Sequence, residues 1–221
     1  MLPRIYIDPG HSKVDPGAVG YEVERDLNEK VAKFMYEYLL ATYICEVKVD
    51  PVTNNNLSAV ANAANNWKAN LFVSIHFNAG GGDGFEALVY SNKNKALGEM
   101  FEKHIKAIGQ NSRGVKYRPE LAVIRLTNMP AVLNEGAFVD NKKDIEDWND
   151  DAELKRMGIA YAKAAAEWLK LEKKAVAPVT PPAESDELYR VQVGAYREKA
   201  NAENMKKKLK AAGFEGFIVK A

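Results

Sequence analysis

Cysteine is almost absent: Cys45 stands alone among 221 residues, so no internal disulfide can hold the chain together. Histidine is scarce as well, with only His11, His76 and His104. No apolar run reaches the ~20 residues needed to span a bilayer. The apolar-rich stretch 34–44 is broken by Glu37 and patterned as a helix. The opening Met1-Leu2-Pro3-Arg4 leads straight into a strand pattern, without an apolar core or a small-residue cleavage site. No signal peptide is therefore expected, so the protein would be made in the cytoplasm and something else would have to release it to any target outside the membrane. Neither charge dominates, since 31 Lys/Arg face 30 Asp/Glu. The balance hides an asymmetry: from Leu188 onward eight basic residues face three acidic ones, leaving 23 against 27 in the rest. A basic tail on an acidic body suggests separate tasks, with the tail near a polar or anionic polymer. Neither nucleic acid nor membrane is expected as a partner.

The body alternates strand and helix patterns. Leu27, Val31, Phe34 and Tyr38 share a helical face. A strand follows over 43–49, where Cys45 alternates with Tyr43, Val47 and Val49 and is expected as a core thiol. A helix over 57–67 leads to a strand over 71–76. A glycine turn at 80–82, a strand over 85–90 and a helix over 96–108 come next. Short apolar runs at 121–124 and 131–133 precede a last helix with Leu154, Met157, Tyr161, Ala165 and Trp168 on one stripe. This order predicts an α/β fold, a mostly parallel twisted sheet with helices on both faces. Residues 173–187, with Pro178, Pro181 and Pro182, read as a semi-rigid linker between a body over 1–172 and a unit over 188–221. In that last unit a strand over 189–195, a helix over 200–212 and a strand at 217–219 predict a small β-α-β element.

The chemistry-bearing residues fall at the edges of these elements. Asp8-Pro9-Gly10 is a tight turn that delivers His11 after the first strand. Glu24 opens the next helix, with Asn28 four residues on and so on the same face. His76 closes the strand at 71–76, and Glu135 follows the apolar run ending at Leu133. Ligands of an open parallel sheet collect at the carboxyl ends of its strands. Two imidazoles and a carboxylate gathered there have the composition of a catalytic zinc site. His104, flanked by Lys103 and Lys106, reads as a solvated helix residue.

As an ordered set these motifs are specific: Asp8-Pro9-Gly10-His11, Glu24 with Asn28, Ser74-Ile75-His76-Phe77-Asn78, and Pro130-Ala131-Val132-Leu133-Asn134-Glu135 followed by Phe138 and Asn141. Over about residues 3–172 the chain resembles the type 3 N-acetylmuramoyl-L-alanine amidases, zinc hydrolases of the bacterial cell wall. The resemblance implies Zn2+ held by His11, Glu24 and His76, with Glu135 as the catalytic carboxylate. Glu22 is the nearest competitor to Glu24 but lacks the matching asparagine. Asn78 and Arg125 are expected to contact the substrate. The tail, through Tyr189-Arg190-Val191-Gln192-Val193-Gly194-Ala195-Tyr196, Ala202-Glu203-Asn204 and Ala212-Gly213-Phe214, resembles one half of a SPOR domain, a cell-wall-binding ferredoxin-like module. Arg190, Gln192 and Tyr196 are its expected glycan contacts, and pairing of two tails in a homodimer is expected. The implied activity is cleavage of the amide between N-acetylmuramic acid and L-alanine in peptidoglycan, as an autolysin or endolysin. A zinc peptidase of the peptide stem and a non-catalytic wall-binding protein are the alternatives.

Overall fold

The computed structural model describes residues 2–51, 56–175, 193–211, 214 and 217–219. Two units are distinguished, Met1–Ala175 and Val176–Ala221.

In the first unit, strands β1 (Arg4–Pro9), β2 (Glu46–Val49), β3 (Leu71–Asn78), β4 (Phe85–Val89), β5 (Ser112–Tyr117) and β6 (Ala131–Phe138) form one sheet in the order β2-β1-β3-β6-β4-β5. All neighbours run parallel except β4 and β6, which are antiparallel. The central strands are apolar on both faces because helices cover both. One face packs on α1 (Glu24–Thr42), α3 (Lys95–Lys106) and α6 (Asp151–Leu169), around Ile7, Val73, Phe85, Phe101, Val132 and Tyr161. Helix α1 turns Leu27, Val31, Met35 and Leu39 inward, an apolar stripe at helical spacing. Helix α6 starts where the Asp150 side chain accepts the Glu153 N–H and ends where Lys170 turns left-handed at φ 52°. Gly158 brings α6 against α1; a Cβ there would lie 2.8 Å from the Val31 carbonyl oxygen.

The opposite face is covered differently. Helices α2 (Leu57–Asn66, capped by Asn56) and α4 (Ala122–Arg125) pack on Tyr6, Phe72, Leu88 and Leu133. Side chains alternate across a strand, so further along this same face come Asp8, Ser74, His76, Glu135 and Glu86. There the face turns from apolar to polar.

Two expectations change. Strands β3 and β6 run two to three residues past His76 and Glu135, so both side chains stand on the sheet face within strands. Neither marks a strand end, because the backbone pairing continues through the polar residues. Strand β5 and the six-residue helix α5 (Lys142–Asp147) were not foreseen. The β5 sequence SRGVKY has a single large aliphatic residue and lies at the sheet edge, where alternation is weak.

In the second unit a helix, α7 (Lys199–Ala211), occupies the expected place. Most of the expected strand at 189–195 lies outside the described residues, and neither 193–195 nor 217–219 is in a strand. A strand needs a partner for its backbone groups, and an alternating pattern alone does not provide one.

Candidate metal centre and active site

The turn after β1 carries His11 in the left-handed region, at φ 71°, a conformation uncommon for a residue with a side chain. Hydrogen bonds fix it there. Gly10 N donates to the Ile75 carbonyl at 2.9 Å, and the buried Asn28 Nδ2 donates to the Gly10 carbonyl at 3.1 Å. The shared face of Glu24 and Asn28 thus has a structural use: one points into the site while the other holds the turn.

Glu24 is the hub. Its Oε2 lies 3.0 Å from His11 Nε2, and its Oε1 lies 2.8 Å from His76 Nδ1. The same carboxylate accepts the backbone N–H of Ala18 at 2.8 Å and of Phe77 at 3.2 Å. Burial opposes its ionisation, but the hydrogen bonds from His11 and His76 outweigh it and hold the carboxyl below the usual range. The hydrogen bond to Glu24 raises His11 to about 9 against the effect of its burial. His76 is also raised, because the Glu24 bond and nearby carboxylates overcome its burial.

One ligand atom from each of His11, Glu24 and His76 can be chosen so that all lie within 4.8 Å of one another. The surrounding backbone leaves room only for these side chains. A Cβ at Gly10 would sit 2.2 Å from the His76 ring, and one at Gly17 would sit 2.5 Å from both Glu24 Oε2 and the His11 ring. Two imidazoles and one carboxylate at this separation fit a catalytic zinc site with a position left over. His11 Nδ1 meets Asp15 Oδ2 at 3.0 Å, the carboxylate–histidine arrangement that orients metal-bound imidazoles. Asp8 accepts the Ser74 hydroxyl at 2.7 Å. Glu22 takes no part in the cluster.

Glu135 is the register partner of His76 across β3 and β6 and so projects from the same face. Its Oε2 is buried and has no hydrogen-bond partner among the described residues. Burial raises its carboxyl to about 7, against the pull of His76. A carboxylate so placed can exchange a proton near neutral pH.

The remaining expected residues divide. Asn78 shares the face of His76 and directs Nδ2 toward the buried Glu86 at 3.4 Å. Arg125 ends α4, exposed, with no ion pair or side-chain hydrogen bond among the described residues. Tyr196 is exposed in the second unit, and Arg190 and Gln192 lie outside the described residues. His104 is not solvated as expected. It bonds Glu167 at 2.7 Å and ties α3 to α6. Cys45 is partly buried against the core. Sequence reading missed Asp15 and the cluster of Glu86, Arg113 and Lys116.

A family model described as N-acetylmuramoyl-L-alanine amidase matches residues 5–167, and a SPOR domain model matches 159–220, beginning within α6. The chain is 34% identical over 226 residues to the N-acetylmuramoyl-L-alanine amidase CwlM of Bacillus licheniformis, covering 99% of this chain and 85% of that protein. It is 36% identical over 187 residues to the endolysin of Bacillus phage SPP1, covering 79% of this chain and 69% of that protein. The catalytic domain of CwlV, an N-acetylmuramoyl-L-alanine amidase from Bacillus (Paenibacillus) polymyxa var. colistinus, superposes with a TM-score of 0.73 at 31% identity, covering 77% of this chain and all of that one. With the sheet, the His-Glu-His cluster and these matches in agreement, the chain belongs to the N-acetylmuramoyl-L-alanine amidase family.

Proposed function

We propose that the protein is a zinc-dependent lytic amidase that cleaves the bond between N-acetylmuramic acid and L-alanine in peptidoglycan. The observation that carries this reading is the convergence of His11, Glu24 and His76 beside Glu135, in a chain of this family. Amide hydrolysis needs an activated water and a proton for the departing amine. Zinc, when held by His11, Glu24 and His76, supplies a Lewis acid for the carbonyl and makes water acidic near neutral pH. Asp15 holds the His11 ring in orientation, and Ala18 N–H and Phe77 N–H hold the Glu24 carboxylate. Glu135 accepts the proton of the attacking water at its free Oε2 and delivers it to the leaving nitrogen of L-alanine. The SPOR-like tail brings the enzyme to the glycan, with Arg190, Gln192 and Tyr196 as its proposed contacts.

Mass spectrometry of muropeptides from digested cell walls tests this reading. New L-alanine amino termini paired with peptide-free muramic acid support it. Other new termini would make the protein a stem peptidase, and unchanged walls would make it a binder.

A further inference from the structure

One strand beyond Glu135 lies a second charged cluster. Glu86 on β4 is the antiparallel register partner of Glu135, so their Cα atoms are within about 5.5 Å and their side chains share a face. Glu86 is buried, its side chain only 6% exposed, yet it meets two cations from the edge strand β5, Arg113 and Lys116. Those two side chains are 43% and 39% exposed. Arg113 reaches Glu86 through Nε while its guanidinium lies 5.4 Å from the centre of the Phe138 ring. Among the described residues its two terminal nitrogens have no hydrogen-bond partner. One buried anion against two half-exposed cations leaves one positive charge over, directed to solvent beside the reacting centre.

The opposite side of the centre has no such excess: Lys48 on β2 shares the face of the buried Asp8 on β1, and Asp50 just after β2 accepts the Tyr6 hydroxyl at 2.6 Å. An anionic group on a substrate is therefore drawn toward β4 and β5. Of the two parts joined by the scissile amide, the peptide necessarily carries carboxylate, at its own carboxyl terminus at least. We infer that Arg113 and Lys116, held in place by the buried Glu86, bind a carboxylate of the peptide stem and so orient the substrate with its peptide over β4–β5. Arginine suits this role because its planar fork presents paired donors to a carboxylate. Glu86 is then a positioning residue, and Arg113 and Lys116 are specificity residues of the proposed amidase reaction.

This inference rests on the amidase reading, and its test separates the two. Steady-state kinetics would be measured for the zinc-loaded full chain, Arg113→Gln and Lys116→Gln, on a muramoyl peptide with free stem carboxylates and on its primary-amide counterpart. The wild type should show a KM lower by roughly tenfold for the free acid, the scale of one charge-assisted hydrogen bond. Each variant should lose most of that preference with kcat within about twofold, and Arg113→Lys should regain part of it. Equal KM values for both substrates in the wild type, or a preference that survives in both variants, would overturn the inference. Calorimetric binding of the free stem peptide and its amide gives the same comparison without cleavage. If the muramoyl amide is not cut but the acid peptide binds more tightly in the wild type alone, the amidase reading fails and the carboxylate site stands.

Discussion

Each residue of the centre has a distinct expected failure. Glu135→Gln keeps the shape and removes the proton acceptor, so metal content should persist while kcat falls by about two orders of magnitude or more. Loss of zinc on metal analysis would instead place Glu135 among the ligands. Asp15→Asn weakens the hold on His11 Nδ1 and should lower zinc affinity by roughly 10–100-fold, measured by chelator competition. The raised groups also fix how metal-free protein responds to pH. Glu135 in the fold titrates at about 7 and His11 at about 9, both above their ordinary values of 4.5 and 6.5. A folded-state pKa above the unfolded one favours the fold below the unfolded value and loses that contribution as pH rises through the folded value. Chelated protein should therefore lose the Glu135 contribution between pH 4.5 and 7 and the His11 contribution between pH 6.5 and 9, so its Tm falls across the latter range. Zinc-loaded protein should hold its Tm better there, because ligation replaces the proton shared by His11 and Glu24. A chelated protein whose Tm rises over that range would contradict the described hydrogen bonding.

At the scale of elements, what the sequence revealed tracks burial. Strands β3 and β6 are apolar on both faces, and helices α1 and α6 carry clear stripes, so they were legible along with the His11, Glu24, His76 and Glu135 motifs set on them. Strand β5 was not, since an edge strand buries too little to impose alternation. With β5 went Arg113 and Lys116. Glu86 was hidden too, because a glutamate in a strand reads as an outward residue until the topology brings two cations to it. Asp15 was concealed by a local detail, the left-handed His11, which turns the ring back onto a residue four positions ahead. One element contact makes a prediction in which sign is decisive. Alanine in place of glycine within a helix ordinarily stabilises by about 1 kcal/mol. At Gly158 the new Cβ would lie 2.8 Å from both the Val31 carbonyl oxygen and Phe34 Cβ, so α1 and α6 must separate. Gly158→Ala should therefore destabilise, by about 1–3 kcal/mol, as a lower denaturant midpoint. A higher midpoint would mean that the α1–α6 contact is looser than described.

At the scale of the whole molecule, the second unit poses a problem of burial. None of the side chains described in it is buried. Val193, Phe214, Phe217, Ile218 and Val219 are all exposed, and α7 has Ala202, Met205 and Leu209 half-buried at helical spacing. An apolar helical stripe beside exposed apolar ends needs a surface to cover it. The sequence pattern over 188–221 predicts a β-α-β repeat, and two such repeats make the β-α-β-β-α-β order of a ferredoxin-like domain. We propose that two chains pair their tails about a two-fold axis, tethering two catalytic bodies to one glycan-binding sheet. Two ends held on the same polymer raise the effective concentration of each catalytic site at the wall. Light scattering at micromolar concentration should give a dimer for the 221-residue chain and a monomer for a truncation ending at Leu171. The truncation should still cleave soluble muramoyl peptides while losing activity on intact walls. A monomeric full-length chain would defeat the pairing, and a dimeric truncation would move the interface to the catalytic body.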